Sequence, residues 1–573
     1  MTQSSLSFIL LAAVSEMPKA VTWTAHSPLT TDFSTRSPHS APRRCDIISY
    51  PLRNYNQGDS TMRDSQLRLL LKGFVLSIIA LCGACGSGGG DNSAAPPVVQ
   101  EPTPKLLSFA LRAQDNSELD SDLSFVIDGA AVTGRLPTNS PVTGLVAAFE
   151  FEGETVALDG VTQTSAQQPN DFTQPVSLTV TNRSGDIANY TVDIMKFTGL
   201  PIIYLNTEGG VSIESKEIYV PGTIRVDGWR LYDSIPEVTM EIRGRGHSTW
   251  FLHPKKPYQM KLSDSSEFLG MLDNRKWLFL AEYSDKTMLR NRVAFELGHL
   301  SNLEWTPDSR FAEVYFNDSH SGTYHISQKV EAGVDRVDLG DNGFLLEIDQ
   351  PDHLDPDDVY FETNEYLINI KEPDLAFNDE QYNLVSSHIN EFETVLFGAN
   401  FADPDTGYAA YIDADSFVDW FLINEIAKNV DAMWYSSIFL HYIPGQKIKM
   451  GPIWDFDLAF GNVDYADSRY SEGWWVRWNA WIDRLLADPA FANKVKQRFA
   501  YFKTQEPHLL SQIDQWSQML KYSQAENDDI WSTLGTYVWP NPVVYDTYDE
   551  EVTHLKIWLQ ERFVWMESAV EQL

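Results

Sequence analysis

Two carboxylates stand one residue apart in the stretch "KMGPIWDFDLAFGN", residues 449–462: Asp455 and Asp457, framed by Ile453, Trp454, Phe456, Leu458 and Ala459. Uncompensated charge in so apolar a setting is costly, so such a pair calls for cations or strong donors nearby. Two readings are open. The stretch is a strand whose polar face meets water, or the pair supplies oxygen ligands to a hard cation such as Mg²⁺, which commonly takes one or two carboxylates plus substrate phosphates. Upstream, "EIRGRGHSTW" (241–250) has Gly244 and Gly246 where backbone N–H groups can approach an anion, with Arg243, Arg245, Ser248 and Thr249 as further donors. Such a loop can cradle phosphates, and a Gly-rich hairpin turn is the plainer alternative. In "KKPYQMKL" (255–262) Tyr258, Met260 and Leu262 share one strand face, which leaves Gln259 and Lys261 on the other. A strand lysine just after a Gly-rich loop can hold phosphates, and a solvated strand lysine fits equally well. Asp431 follows a helix-like segment, where a capping or turn residue is the ordinary reading.

These residues need elements to position them. Strand-like runs come first: "PIIYLNT", "VTMEIRGRG", "PYQMKL" and "WLFLAEY". A helix is predicted over "SDKTMLRNRVAFELGHL", with Ser284 as its N-cap. Strands return in "RFAEVYFND", "GTYHISQKV" and "GFLLEID", and beyond about 375 the chain turns mainly helical. A strand-rich half followed by a helix-rich half predicts an α+β domain over 198–573, with a cleft between the halves. Before it, residues 106–197 hold short alternating runs split by Gly, Asn, Asp and Pro, including the hairpin-like "VSLTVTNRSGDIANYTVDI". That spacing predicts an antiparallel β-sandwich resembling immunoglobulin- or cadherin-like modules, a spacer or binding module without a catalytic constellation.

In chain order the pieces are a Gly-rich loop, a strand lysine, a lone aspartate, a short hairpin and a paired aspartate. Protein kinases use parts in that order. Residues from about 200 to 565 resemble the CotH-type (spore coat protein H-like) secretory kinases, an atypical branch of the two-lobed kinase fold. The resemblance rests on "IRGRGHSTW", "PKKPYQMKL", "WLFLAEYSDKTMLRNRVAFELG", "GTYHISQKVE", "GFLLEID", "INIKEPD", "KMGPIWDFDLAFGN" and "GWWVRWNAWIDRLL". It implies ATP, Mg²⁺ (or Mn²⁺) and phosphotransfer to hydroxyls of a protein substrate. By motif match Lys261 takes the ATP-lysine place, Asp431 the catalytic place and Asp455 the metal place, while Asp457 belongs to the family's "WDFD" pattern. Glu282 and Glu296 are candidates to pair with Lys261, and the adenine contact is expected near Gln328–Glu331. His247 stands where the family often has Asn, and Ser436 about where an Asn often follows the catalytic Asp. Serine is the poorer metal ligand, so the alternative is a catalytically inactive kinase-like surface binding, adhesion or scaffold protein.

The totals narrow the partners. The chain has 573 residues, is 43% hydrophobic and carries a net charge of −37. That charge weighs against non-specific nucleic-acid or anionic-membrane binding, which needs basic patches, and suits acidic clusters that take up divalent cations. The three cysteines, Cys45, Cys82 and Cys85, leave no disulfide within the folded part. Residues 62–85, "MRDSQLRLLLKGFVLSIIALCGAC", have a basic start, an apolar run and small residues before a cysteine. That is a secretory signal layout whose end resembles a bacterial lipobox, with Cys82 where Leu is usual. Translation is therefore expected to start at Met62, with 1–61 a mis-called extension, Cys85 lipid-modified and 86–105 a flexible tether. Gly86 after the cysteine favours the outer membrane or cell surface of a Gram-negative bacterium, with membrane attachment through the lipid.

Overall fold

The computed structural model describes residues 102–573 apart from 120, 139 and 230. The expected extension, signal, lipidation residue Cys85 and most of the tether lie outside the described residues. The first described body is a β-sandwich. One sheet runs in the order Leu123–Ser124, Lys105–Leu111, Thr143–Glu152, Pro169–Asp171. The other runs Val126–Asp128, Ala131–Pro137, Ile187–Phe197, Val176–Thr181, Thr155–Leu158, Val161–Gln163. Phe109, Phe149 and Phe172 from one side meet Leu178, Val180 and Val192 from the other. The hairpin-like stretch pairs antiparallel, Ile187 opposite Thr181 and Val192 opposite Val176. The sandwich is not purely antiparallel, because Ala131–Pro137 runs parallel to Thr191–Phe197.

Next, seven strands close a barrel: Ile202–Thr207, Val220–Asp227, Ile235–Gly244, Tyr258–Phe268, Met271–Leu280, Ser319–Gln328 and Ser309–Phe316. A parallel pairing of Ile202–Leu205 with Glu313–Phe316 shuts the ring. Period-two alternation puts Met240, Ile242, Met260, Leu262, Trp277 and Phe279 inside. Lys261 is thereby turned outward, opposite Glu241 of the neighbouring strand.

A five-stranded sheet comes after the barrel, ordered Val359–Glu362, Leu367–Glu372, Phe344–Asp349, Ile438–Tyr442, Lys449–Met450. The helices are α1 (Ser248–Leu252), α2 (Arg290–His299), α3 (Glu380–Leu396), α4 (Ala414–Ala427), α5 (Ala480–Leu486), α6 (Pro489–Met519), α7 (Ser523–Trp531) and α8 (Tyr548–Val570). Most of them share one large core with the five-stranded sheet. The fold is α+β.

The predicted helix at 284 begins later than its sequence suggested. Asp285, not Ser284, organises the entry: its carboxylate accepts from Thr287 N (3.0 Å), Thr287 Oγ1 (2.6 Å) and Arg290 N (2.8 Å). Met288 sits at φ +58°, which breaks helical geometry just before Arg290. α4 is buried from Ser416 to Ala427, and its polar side chains are met inside the core: Asp419 by Arg498 and Glu425 by Arg562. Asp413 caps it by accepting from Asp415 N and Ser416 N, and Lys428 at φ 44° ends it. The Lys428 ammonium then donates to the carbonyls of Asp467, Tyr470 and Glu472. This pins the turn that presents Asp431.

Candidate active site

Two loops and one strand end bring the acidic residues together. Asp431 opens a short 3-10 turn after α4. Asp455 sits at φ +65°, a left-handed conformation uncommon for a residue with a side chain. The surroundings hold it there: Asn429 Nδ2 donates to its carbonyl (3.3 Å), and the Ser437 hydroxyl bonds its carboxylate. Phe456 N donates to Asn291 Oδ1 of α2 (2.7 Å), and Asn462 Nδ2 to the Asp457 carbonyl (2.8 Å). Ser284 Oγ donates to Asp457 Oδ2 (3.3 Å). The apolar residues between the carboxylates are thus an anchor: Phe456 is fully buried, while Asp455 is exposed and Asp457 partly so.

The electrostatics are those of carboxylates crowded at a cleft. Burial, then the charge of Asp455, pushes Asp431 up to about 7, with His353 opposing. Enclosure by protein raises Asp455, and Arg245, the Ser437 hydroxyl and His353 lower it; water at its exposed side screens part of the effect. Burial lifts Asp457 well above the carboxylate range, followed by Asp455, Glu282, Asp285 and Asp431. Glu282, fully enclosed, is pushed up to about 8 by burial and then by Asp285. Its partners are Asn291 Nδ2 (3.1 and 3.3 Å) and His325 Nδ1 (2.9 Å). Burial drives His325 down to about 3, so the imidazole is neutral and shares an ordinary hydrogen bond with Glu282.

Among the cations that act on this cluster, Lys255 reaches Glu282 and Arg245 reaches the aspartates as well. Arg245 lies over the Trp454 ring (5.6 Å), and its charge acts with Asp455, Asp457 and Glu282. The glycines beside it serve shape. A Cβ at Gly244 would come within 2.4 Å of the Trp250 ring, and Gly246 sits at φ +77°. The N–H groups of Gly244 and Arg245 are already used, donating to Ser215 O (2.9 Å) and Pro257 O (3.2 Å). Of the backbone donors expected near Gly244 and Gly246, the Gly244 N–H is therefore already taken. Arg243 points elsewhere, over the Tyr219 ring at 4.8 Å. Ser248 and Thr249 open the five-residue α1, and Thr249 O accepts from His253 N. His247 is exposed and packs against His353 (4.7 Å between centroids).

Lys261 is not brought to the cluster. Its charge partner is Glu241 at 3.8 Å, and it lines a separate cavity of about 640 Å³ with Thr207, Glu208, Thr239, Ser263 and Arg275. Neither candidate acid pairs with it: Glu282 bonds Asn291 and His325, and Glu296 bonds His508 Nε2 (2.6 Å). Glu331, in the expected adenine region, holds Lys276 at 2.8 Å. Four residues had no sequence signal of their own: Asn291, Asp349, His353 and Ser437. Asp349 accepts from His353 Nδ1 (3.1 Å), which raises His353 and sets its charge beside Asp431. Ser437, next to the flagged Ser436, is the serine on Asp455. Asp349 ends the flagged "GFLLEID" strand and Asn291 lies in the flagged "MLRNRVAFELG" block, while the part His353 and Ser437 play at Asp431 and Asp455 shows only through long-range contacts.

Among the described residues, no three of these carboxylates bring ligand atoms within 4.8 Å of one another. The cleft is not a closed all-protein cage, and one or two carboxylates facing phosphates is the arrangement Mg²⁺ accepts.

No curated protein matches this chain at a significant level. Among solved structures, a protein of Bacteroides thetaiotaomicron provisionally named a glycoside hydrolase aligns at 13% identity and TM-score 0.15, covering 52% of this chain and 89% of its own. At that score the likeness carries no argument. The CotH kinase protein family matches residues 242–566, more than half of the chain and inclusive of Arg245, Asp431, Asp455 and Asp457. The chain belongs to the CotH kinase protein family.

Proposed function

We propose that this cleft transfers the γ-phosphoryl group of ATP to hydroxyls of a protein substrate, in an exported lipoprotein attached to the membrane through Cys85. The observation that supports it is the convergence of Asp431, Asp455, Asp457 and Arg245 in one cleft of a CotH-family chain. The donor set suits a hard divalent cation. The ligand atoms are carboxylate oxygens, and each carboxylate raises its neighbour's pKa, a conflict that a cation relieves. Asp455 and Asp457 would hold Mg²⁺ or Mn²⁺, which supplies neutralisation of the phosphate charge. Arg245 adds a guanidinium that matches phosphoryl oxygens in a fork. Asp431 would accept the proton of the acceptor hydroxyl; a carboxyl near 7 has the right balance for that at neutral pH. His353 tunes Asp431 by its charge. Placement at the outer membrane or cell surface rests on the leader sequence alone.

A second reading has specific support. Lys261 is engaged by Glu241 rather than by the acidic cluster, and Ser436 replaces the family's Asn. Both favour a scaffold that binds nucleotide without transferring it. Nucleotide-dependent thermal stabilisation, with Mg²⁺ and with chelator, tests the shared part: ligand at about 100 times its Kd adds about 2.7 kcal/mol. Radiolabelled transfer from ATP separates the two readings. Absence of Mg²⁺-dependent stabilisation would sink the kinase reading and leave a surface binding or scaffold protein that needs no nucleotide.

A further inference from the structure

Glu313, His320 and Glu526 form a second chemical cluster, and none of them is among the charges that act on Asp431, Asp455 or Asp457. Each offers one ligand atom, and these atoms all lie within 4.8 Å of one another. They come from three elements: strand Ser309–Phe316, strand Ser319–Gln328 and α7. Glu313 is only 3% exposed. Its Oε1 accepts from Thr198 Oγ1 (2.9 Å) and Thr323 Oγ1 (3.3 Å), which aims Oε2 at His320 Nε2, 2.6 Å away. The His320 ring is fixed by stacking on Tyr315 at 4.8 Å and 21°. Glu526 Oε2 lies 3.9 Å from His320 Nδ1, and its other oxygen accepts from the Thr138 hydroxyl of the β-sandwich. The nearby ammonium of Lys196 donates to the carbonyls of Thr138 and Ser140. A cavity of about 330 Å³, also lined by Asp529, opens beside the three and has room for water ligands.

Two carboxylates flank one imidazole in a partly buried place, with the ammonium of Lys196 acting on Glu526 and that of Lys255 on Glu313. The outer hydroxyls and the stacked tyrosine hold the side chains as outer partners of a metal site do. A mixed nitrogen and oxygen set suits Zn²⁺, whereas Mg²⁺ takes oxygen alone. We infer that Glu313, His320 and Glu526 bind Zn²⁺, with water from the cavity completing the shell. His320 gives one ring nitrogen to the metal in place of its bond to Glu313. The ion fastens the barrel to α7 and, through Thr138, reaches the β-sandwich. This site does not depend on phosphotransfer.

The test uses the full chain stripped by chelator, with Zn²⁺ titrated against a chromophoric competitor. Wild type and Asp455→Asn should each take up one tight equivalent. His320→Gln and Glu526→Gln, folded by circular dichroism, should bind at least ~100-fold more weakly. Zn²⁺ should raise the wild-type melting temperature by an increment that Mg²⁺ does not reproduce, and both variants should lose that increment. Wild type that takes up no tight equivalent would overturn the site, as would variants that keep full affinity.

Discussion

At the scale of single residues, Asp431 carries the sharpest expectation. Its carboxyl titrates near 7 in the folded protein, against about 3.9 unfolded. The folded state therefore holds the proton more tightly, and this group's contribution to stability is lost as pH rises from about 4 through 7. Asp431→Asn should make the protein more stable at pH 8 by about 1 kcal/mol or more, measured by urea denaturation at pH 5 and 8, with the gain shrinking at pH 5. The same variant should abolish phosphotransfer while largely sparing ATP affinity in calorimetry, because the carboxylate acts on the acceptor hydroxyl. A loss of ATP affinity equal to that of Asp455→Ala would place Asp431 on the metal instead. Arg245→Ala should weaken Mg²⁺–ATP binding more than Lys261→Ala does, since Arg245 faces the carboxylates and Lys261 faces Glu241. Equal losses would mean that Lys261 swings into the cleft when nucleotide binds. The acids were legible in the sequence because their spacing and order are distinctive. The choice of cation was not, because a strand lysine's usefulness depends on which side of a closed barrel it faces.

At the scale of elements, α2 and the 455–457 loop act as a unit. Asn291 donates to both oxygens of Glu282 and accepts from Phe456 N, so one amide ties a buried acid to the backbone between the two aspartates. Asn291→Ala leaves a buried carboxyl and a buried N–H without this partner, at a cost of about 2–3 kcal/mol. Chemical denaturation measures it, and a loss below about 0.5 kcal/mol would show that water or a shifted loop replaces the amide. The helix itself was legible from its apolar period. Its start was not: Ser284 is an ordinary N-cap type, but Asp285 takes the donors instead, Arg290 N among them. The Gly-rich loop was legible as a loop. Its glycines answer to Trp250 and to a turn, a demand that becomes visible only when the indole is packed against the strand.

At the scale of the molecule, the β-sandwich is fastened to the barrel. Arg135 pairs with Asp227 and lies over the Trp229 ring at 4.4 Å, and Thr198 bonds Glu313. A chain beginning at residue 198 should keep Mg²⁺–ATP binding, because no sandwich residue is among the charges and donors that act on Asp431, Asp455 and Asp457. It should also melt several degrees lower than the full chain, since Asp227 and Glu526 lose partners and Trp229 loses cover. An unchanged melting temperature would mean that these contacts are incidental. Intact mass of the native membrane fraction checks the other end: a diacylated Cys85 is expected, and peptides from residues 1–61 would rule out a start at Met62.

By itself, the sequence determined the fold class, the acids in their order and the family, because alternation, helical period and motif spacing are local properties of the chain. Tertiary structure decided which cation meets those acids, which serine touches Asp455, and that Glu313, His320 and Glu526 lie together although more than 200 residues separate the first from the last. Those outcomes depend on barrel closure and on a helix returning from the far end of the chain. No local pattern carries a contact whose two sides are set by different elements.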